Sequence, residues 1–141
     1  MKVLGIDHVV LRVVDLEASL AFYRDLLGCE VERRVESAGL VQLRAGASLI
    51  DLVPLSSRLG RRGGAGPGAE GRNVDHFCLR IEPFEPDALR ARLWELGYSP
   101  SEVESVYGAE GTGPSIYVRD PDGNTVELKG PATARARRPM G

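Results

Sequence analysis

The chain has 141 residues, a length that suits one compact domain or two small repeated modules, with enough interior to fold without disulfides. Its 18 Lys and Arg against 20 Asp and Glu leave a net charge of -2, which supplies no field to draw nucleic acid or an acidic membrane surface. Cys29 and Cys78 have no Cys-x-x-Cys spacing, so a zinc ribbon is excluded and two buried, hydrophobe-like thiols in a reducing compartment are expected.

In chain order, Val3 to Val14 is rich in Val, Ile and Leu and predicts a strand with a buried face. Asp15 is placed to cap a helix whose Leu16, Leu20, Tyr23 and Leu27 recur at helical spacing, and Gly28 supplies its left-handed stop. Three β-prone stretches follow, near residues 30–35, 40–43 and 48–53, with turn signals at Gly39 and Ala45-Gly46. Residues 1–57 therefore read as a βαβββ module. Residues 58–72 hold six glycines, four arginines and one proline without periodicity, the composition of a linker or flap rather than of a phosphate loop.

Residues 73–130 repeat the first order. Val74 to Ile81 predicts a strand, Pro86 opens a helix with Leu89, Leu93 and Leu96 as its stripe, and Gly97 ends it. Strands are expected around residues 101–106, 115–118 and 125–129, the last two joined by the turn residues Asp120-Pro121-Asp122-Gly123-Asn124. Residues 131–141 read as a disordered basic tail. No apolar run reaches membrane-spanning length and Met1-Lys2 leads into a strand with no signal-peptide core, so a cytoplasmic protein with no membrane or nucleic-acid partner is expected.

The repetition centres on the only two histidines. Asp7-His8-Val9-Val10-Leu11-Arg12 returns as Asp75-His76-Phe77-Cys78-Leu79-Arg80, and each module closes on an acid within an apolar strand, Asp51 in the first and Glu127 in the second. Side chains alternate along a strand, so Asp51 opposes Ile50 and Leu52 while Glu127 opposes Val126 and Leu128. All four donors can then face one side. Singly, each has an ordinary reading as a structural histidine or a solvated carboxylate. Their occurrence at matching places of two copies points instead to a divalent metal site, suited to Zn, Ni, Mn, Co or Fe(II), with positions left open for substrate.

Asp7-His8 followed by Asp15-Leu16-Glu17-Ala18-Ser19-Leu20-Ala21-Phe22-Tyr23, with Ser115 through Leu128, resembles the vicinal oxygen chelate superfamily of glyoxalases, epimerases, extradiol dioxygenases and bleomycin-resistance proteins. The likeness runs from about Gly5 to Lys129. It implies an α+β fold in which two βαβββ modules form an open eight-stranded barrel around the metal, completed in a homodimer. By the same likeness His8, His76 and Glu127 match the usual ligands. Asp51 stands where lyase and epimerase members carry Glu or Gln; being one methylene shorter, it leaves direct or water-bridged coordination open.

The implied function is that of a glyoxalase-like lyase or isomerase acting on a small substrate chelated through two adjacent oxygens. Glu127 or Asp51 would abstract a proton, with Glu127 first because its arm is longer. Arg12 and its repeat mate Arg80 are candidates for a substrate carboxylate against the alternative of surface ion pairs, and Tyr117 is a candidate substrate donor against a packed strand aromatic. An extradiol-type Fe(II) dioxygenase is the alternative enzyme, since Tyr117 with Asp120-Pro121 fits part of its signature. Gly108-Ala109-Glu110 occupy the neighbourhood of its additional histidine, however. A bleomycin-resistance-like binding protein without catalysis is the alternative of another class.

Overall fold

The structure, a computed structural model, describes residues 1–135. The chain divides into two units, Met1–Asn73 with Pro121–Gly123, and Val74–Asp120 with the residues from Asn124 onward. Each is built around one βαβββ run, so the mixed α+β class and the element order expected from the sequence are both observed. Among the described residues no helix is long and apolar enough to cross a membrane.

In the first unit β1 (His8–Val13), β2 (Val31–Val35), β3 (Leu40–Ala45) and β4 (Ser48–Pro54) lie in the order β1-β4-β3-β2, with β1 parallel to β4 and the other pairs antiparallel. Parallel neighbours need a crossover, and α1 (Leu16–Leu20) begins it. Asp15 caps α1 as expected, accepting from the Ala18 amide at 3.2 Å. The helix then widens into π-type turns over Ala21–Leu26, where the consecutive rings of Phe22 and Tyr23 are both fully buried, edge to face at 4.9 Å. Leu16 and Leu27, expected in the buried stripe, are only half-buried.

β1 is shorter than the expected strand over Val3 to Val14. Pairing begins where β4 does, at His8 opposite Leu49, and Val3, Leu4 and Ile6 remain exposed. Strand propensity without a neighbouring strand leaves Met1–Asp7 outside the sheet. Register sorts the rest by face. Leu11, Leu52 and Val41 stand side by side and buried, as do Ile50 and Leu43 next to Val9, while His8, Val10, Arg12, Asp51 and Gln42 share the opposite face.

The segment after β4 is folded onto this unit. Gly60–Gly63 forms a 3-10 turn, and Ser57 ties it down by donating to the Pro54 carbonyl at 2.7 Å and accepting from the Gly60 amide at 3.1 Å. A Cβ on Gly60 would overlap the Pro54 carbonyl oxygen, so this glycine serves close approach rather than flexibility.

In the second unit β5 (His76–Arg80), β6 (Glu104–Gly108), β7 (Gly111–Arg119) and β8 (Thr125–Lys129) repeat the order as β5-β8-β7-β6. Pro86 opens α2 (Pro86–Glu95), and Gly97 at φ 89° closes it with the paired bonds of a Schellman motif, Tyr98 amide to Leu93 carbonyl at 2.9 Å and Gly97 amide to Trp94 carbonyl at 3.1 Å. Leu93 is buried, Leu89 half-buried and Leu96 exposed. Phe77, Val126 and Val118 align across the sheet, as do Leu79, Leu128 and Ile116, which leaves His76, Cys78, Glu127, Tyr117 and Ser115 on the other face. Of the tail expected over residues 131–141, Ala134–Arg135 pairs with β7 as a short strand, β9, and residues 136–141 lie outside the described residues.

Candidate metal centre

Each unit places one imidazole and one carboxylate as diagonal neighbours on one sheet face. In the second unit Glu127, 4% exposed, lies beside Cys78 on β5 and Tyr117 on β7, and its Oε1 stands 3.6 Å from His76 Nε2. The other oxygen accepts from the Ser115 hydroxyl at 2.7 Å. In the first unit Asp51, also 4% exposed, lies beside Val10 on β1 and Gln42 on β3, with both oxygens accepting from Gln42 Nε2 at 3.2 Å. The Asp51 charge contributes to holding the His8 pKa above its ordinary value, after the larger effect of the hydrogen bond to Asp7.

The preceding aspartates set the state of both rings. His8 Nδ1 lies 2.7 Å from Asp7 and His76 Nδ1 lies 2.6 Å from Asp75. An ionised carboxylate can only accept, so Nδ1 carries the proton and the neutral ring keeps its lone pair on Nε2. Metal-binding histidines commonly donate their other ring N–H to a carboxylate in this way. The Nε2 lone pair of His76 then faces a carboxylate oxygen at 3.6 Å, a repulsive approach unless a proton or a cation lies between them. Two ligands about 2.1 Å from one tetrahedral ion stand about 3.4 Å apart, so the donor pair fits a divalent metal.

Among the described residues no three His, Cys, Asp or Glu side chains gather as a metal-binding group. The structure therefore brings together His8 with Asp51 and His76 with Glu127, each pair within its own unit. Asp7, Asp75, Gln42 and Ser115 belong to these pairs and were not singled out in the sequence. The repeated Asp-His dipeptide was the available signal for the first two; Gln42, between Val41 and Leu43, had the parity of an inward polar residue.

The remaining candidates divide. The Tyr117 phenol is pushed up to about 12 by burial first and by the neighbouring Glu127 second; its ring also meets His76 edge to face at 6.0 Å. Arg80 is committed to Glu110 at 2.6 Å, Glu82 at 2.7 Å and the Ile81 carbonyl at 2.7 Å, the geometry of a surface ion pair. Arg12 donates instead to two neutral acceptors, the carbonyls of Gly64 at 3.1 Å and Ala65 at 3.0 Å. Cys29 is buried as expected, whereas Cys78 is exposed, because its strand position gives it the Glu127 face. Desolvation, then the neighbouring Glu127, pushes that thiol up to about 12.

A sequence model described as the Glyoxalase/Bleomycin resistance protein/Dioxygenase superfamily matches residues 5–128. A virulence protein of Salmonella typhimurium is 29% identical over 130 residues, 87% of this chain and 81% of that protein. Its crystal structure superposes with a TM-score of 0.73 at 26% identity, covering 94% of this chain and 100% of that one. An integron cassette protein from the mobile metagenome of V. cholerae gives 0.71 at 27% identity with 92% and 97% coverage. A lactoylglutathione lyase from Agrobacterium tumefaciens gives 0.64 at 25% identity with 92% and 95% coverage. With its duplicated strands and the family match extending over nearly all of them, the chain belongs to the glyoxalase/bleomycin resistance/dioxygenase superfamily.

Proposed function

We propose that this protein is a divalent-metal-dependent enzyme of glyoxalase type, a lyase or isomerase whose small substrate presents two adjacent oxygens to a cation held by His8, Asp51, His76 and Glu127. The carrying observation is the duplicated half-site, an aspartate-oriented imidazole beside a buried carboxylate in each unit. A homodimer whose sites draw on both copies would unite the halves, and closure of the two sheets into an open barrel belongs to the same proposal. When bound, the ion supplies Lewis-acid stabilisation of negative charge on the substrate oxygens.

The residues divide the remaining work. Ser115 fixes one Glu127 oxygen, so Oε1, the oxygen beside His76, would serve as ligand and, once released, as the base that takes a proton from the carbon beside a substrate carbonyl. Asp51, with both oxygens accepting from Gln42, is suited to holding the cation rather than moving a proton. Tyr117 stays protonated through the neutral range and can donate to the substrate. Both histidines are used as ligands, so none remains for the proton transfer a dioxygenase needs, which favours the lyase or isomerase reading. The likeness to a lactoylglutathione lyase supports the same class. A second reading is ligand binding without turnover, the bleomycin-resistance branch of the same superfamily.

The test is anaerobic reconstitution with Zn, Ni, Mn, Co or Fe(II), elemental analysis, and turnover assays on 2-oxoaldehyde-thiol adducts, acyl-CoA epimers and catechols. One ion per site is expected, lost in His8→Ala, His76→Ala and Glu127→Ala with the circular dichroism unchanged. Glu127→Gln is expected to lower kcat by about 10²–10⁴-fold. Full turnover in Glu127→Gln would remove it as the base, and a protein that takes up no metal yet binds ligand would establish the second reading.

A further inference from the structure

The segment that follows β4 is attached to β1 at both of its ends. The Leu55 amide donates to the Val13 carbonyl at 2.9 Å, and at the far end Asn73 Nδ2 donates to the Arg12 carbonyl at 2.9 Å. The part nearer β4 is pinned down, Gly60–Gly63 by Ser57 and Arg61 by the 2.8 Å bond from its Nη1 to the Ser56 carbonyl. Residues 64–72 are built differently. A Cβ on Gly64, Gly68 or Gly71 would meet nothing within 4 Å, and the Gly68 amide, donating to the Gly71 carbonyl at 2.8 Å, closes a turn inside the segment itself.

A side chain clasps this stretch to the sheet. Arg12 Nη1 donates to the Gly64 carbonyl at 3.1 Å and Nη2 to the Ala65 carbonyl at 3.0 Å, so one planar fork spans two consecutive carbonyls. Arg80, at the repeated position, spends the same fork on Glu82 and Glu110. The clasp stands at a cavity of about 410 Å³ lined by Val10, Arg12, Val53, Leu59, Arg62 and Gly63. Val10 and Arg12 share the His8 face of β1, and Val53, the register partner of Arg12, shares the Asp51 face of β4. Although Val53 lines the cavity it is only 3% exposed, so a molecule from solvent reaches it only when the groups around it move.

We propose that residues 64–72 are a gate at this cavity, latched shut by the Arg12 fork, and that unlatching controls the passage of small molecules to the His8 face of the first unit. The latch is made of charge-assisted bonds to neutral carbonyls, each worth about tenfold or more in the closed state's favour. It is strong enough to keep the gate shut most of the time and weak enough to open without unfolding the sheet. The gate needs neither a metal nor turnover, so it stands or falls apart from the proposed function.

The experiment follows alkylation of the full-length, metal-free protein by iodoacetamide, with Val53→Cys placing a thiol in the cavity wall and Cys78→Ser removing the exposed one. Buried Cys29 is the internal reference, since it reacts only when the unit opens as a whole. Arg12→Met is expected to speed alkylation at position 53 about tenfold or more with Cys29 unchanged. Arg12→Lys, which keeps the charge and loses the fork, should fall between. Gly63→Ala should speed it too without removing any charge, because the added methyl would lie 2.5 Å from Arg12 Nη1 and push the fork aside. Trypsin cleavage after the exposed Arg72, read by mass, should accelerate in parallel. An unchanged rate in Arg12→Met or in Gly63→Ala, an acceleration that Cys29 matches, or faster cleavage after Arg72 with no change at position 53 would overturn the proposal.

Discussion

An imidazole becomes a metal ligand only when one ring nitrogen is left without its proton, and here the residue one place earlier arranges that. Asp7 and Asp75 hold Nδ1 of His8 and His76 at 2.7 and 2.6 Å, so Nε2 keeps the lone pair. The arrangement has a cost in acid. The Asp7 hydrogen bond first, and the Asp51 charge second, raise the His8 pKa, so the imidazolium persists to higher pH than in a free histidine. A proton and a cation compete for Nε2, and metal affinity should therefore fall as pH drops through that raised value. Asp7→Asn is expected to bring the His8 pKa down toward 6.5 in the metal-free protein, read from its imidazole proton shifts. The loss of metal affinity should then begin at lower pH. Well above the His8 titration of either protein, the variant should bind metal about 10–100-fold more weakly, because the ring has lost its orienting partner. An unchanged His8 titration would show that Asp7 does not set it.

At the scale of elements, what the sequence carries depends on whether the signal is local. Alternation within β1, β4, β5 and β8 was enough to put His8, Asp51, His76 and Glu127 opposite the buried Leu11, Ile50, Leu52, Val126 and Leu128. Asp15 and Gly97 likewise mark helix ends by their own chemistry. Partners set by register were not legible: Gln42 meets Asp51, and Ser115 meets Glu127, only once β3 and β7 are aligned with their neighbours. Nor was the truncation of β1 at His8, which depends on where β4 starts. In the glycine-rich segment composition cannot separate a glycine used for freedom from one used for contact. Gly60 is the second kind and Gly68 has open space around it. Gly60→Ala is expected to cost about 1–3 kcal/mol in denaturant unfolding, because a methyl group there presses on backbone that must move. Gly68→Ala should stay within about 0.5 kcal/mol of wild type. Equal values for the two would mean that the turn at Gly60–Gly63 does not pack as described.

For the whole molecule the open question is which two half-sites share a cation. Each unit of the chain holds one His-carboxylate pair, and the proposed homodimer would join the first pair of one copy to the second pair of the other. Complementation separates that arrangement from sites closed within a chain. His8→Ala disables the first half-site and Glu127→Ala the second, so neither variant alone should retain metal. Co-refolded in equal amounts, a mixed dimer with sites across the copies would contain one site with both lesions and one with neither. Random pairing makes half the dimers mixed, each with one intact site of two, so metal content should return to about a quarter of wild type. Sites closed within single chains predict no recovery, because every site then carries one lesion whatever its neighbour. The result also bears on stability: a cation bridging two copies makes Tm depend on protein concentration as well as on metal, whereas one within a chain leaves it dependent on metal alone.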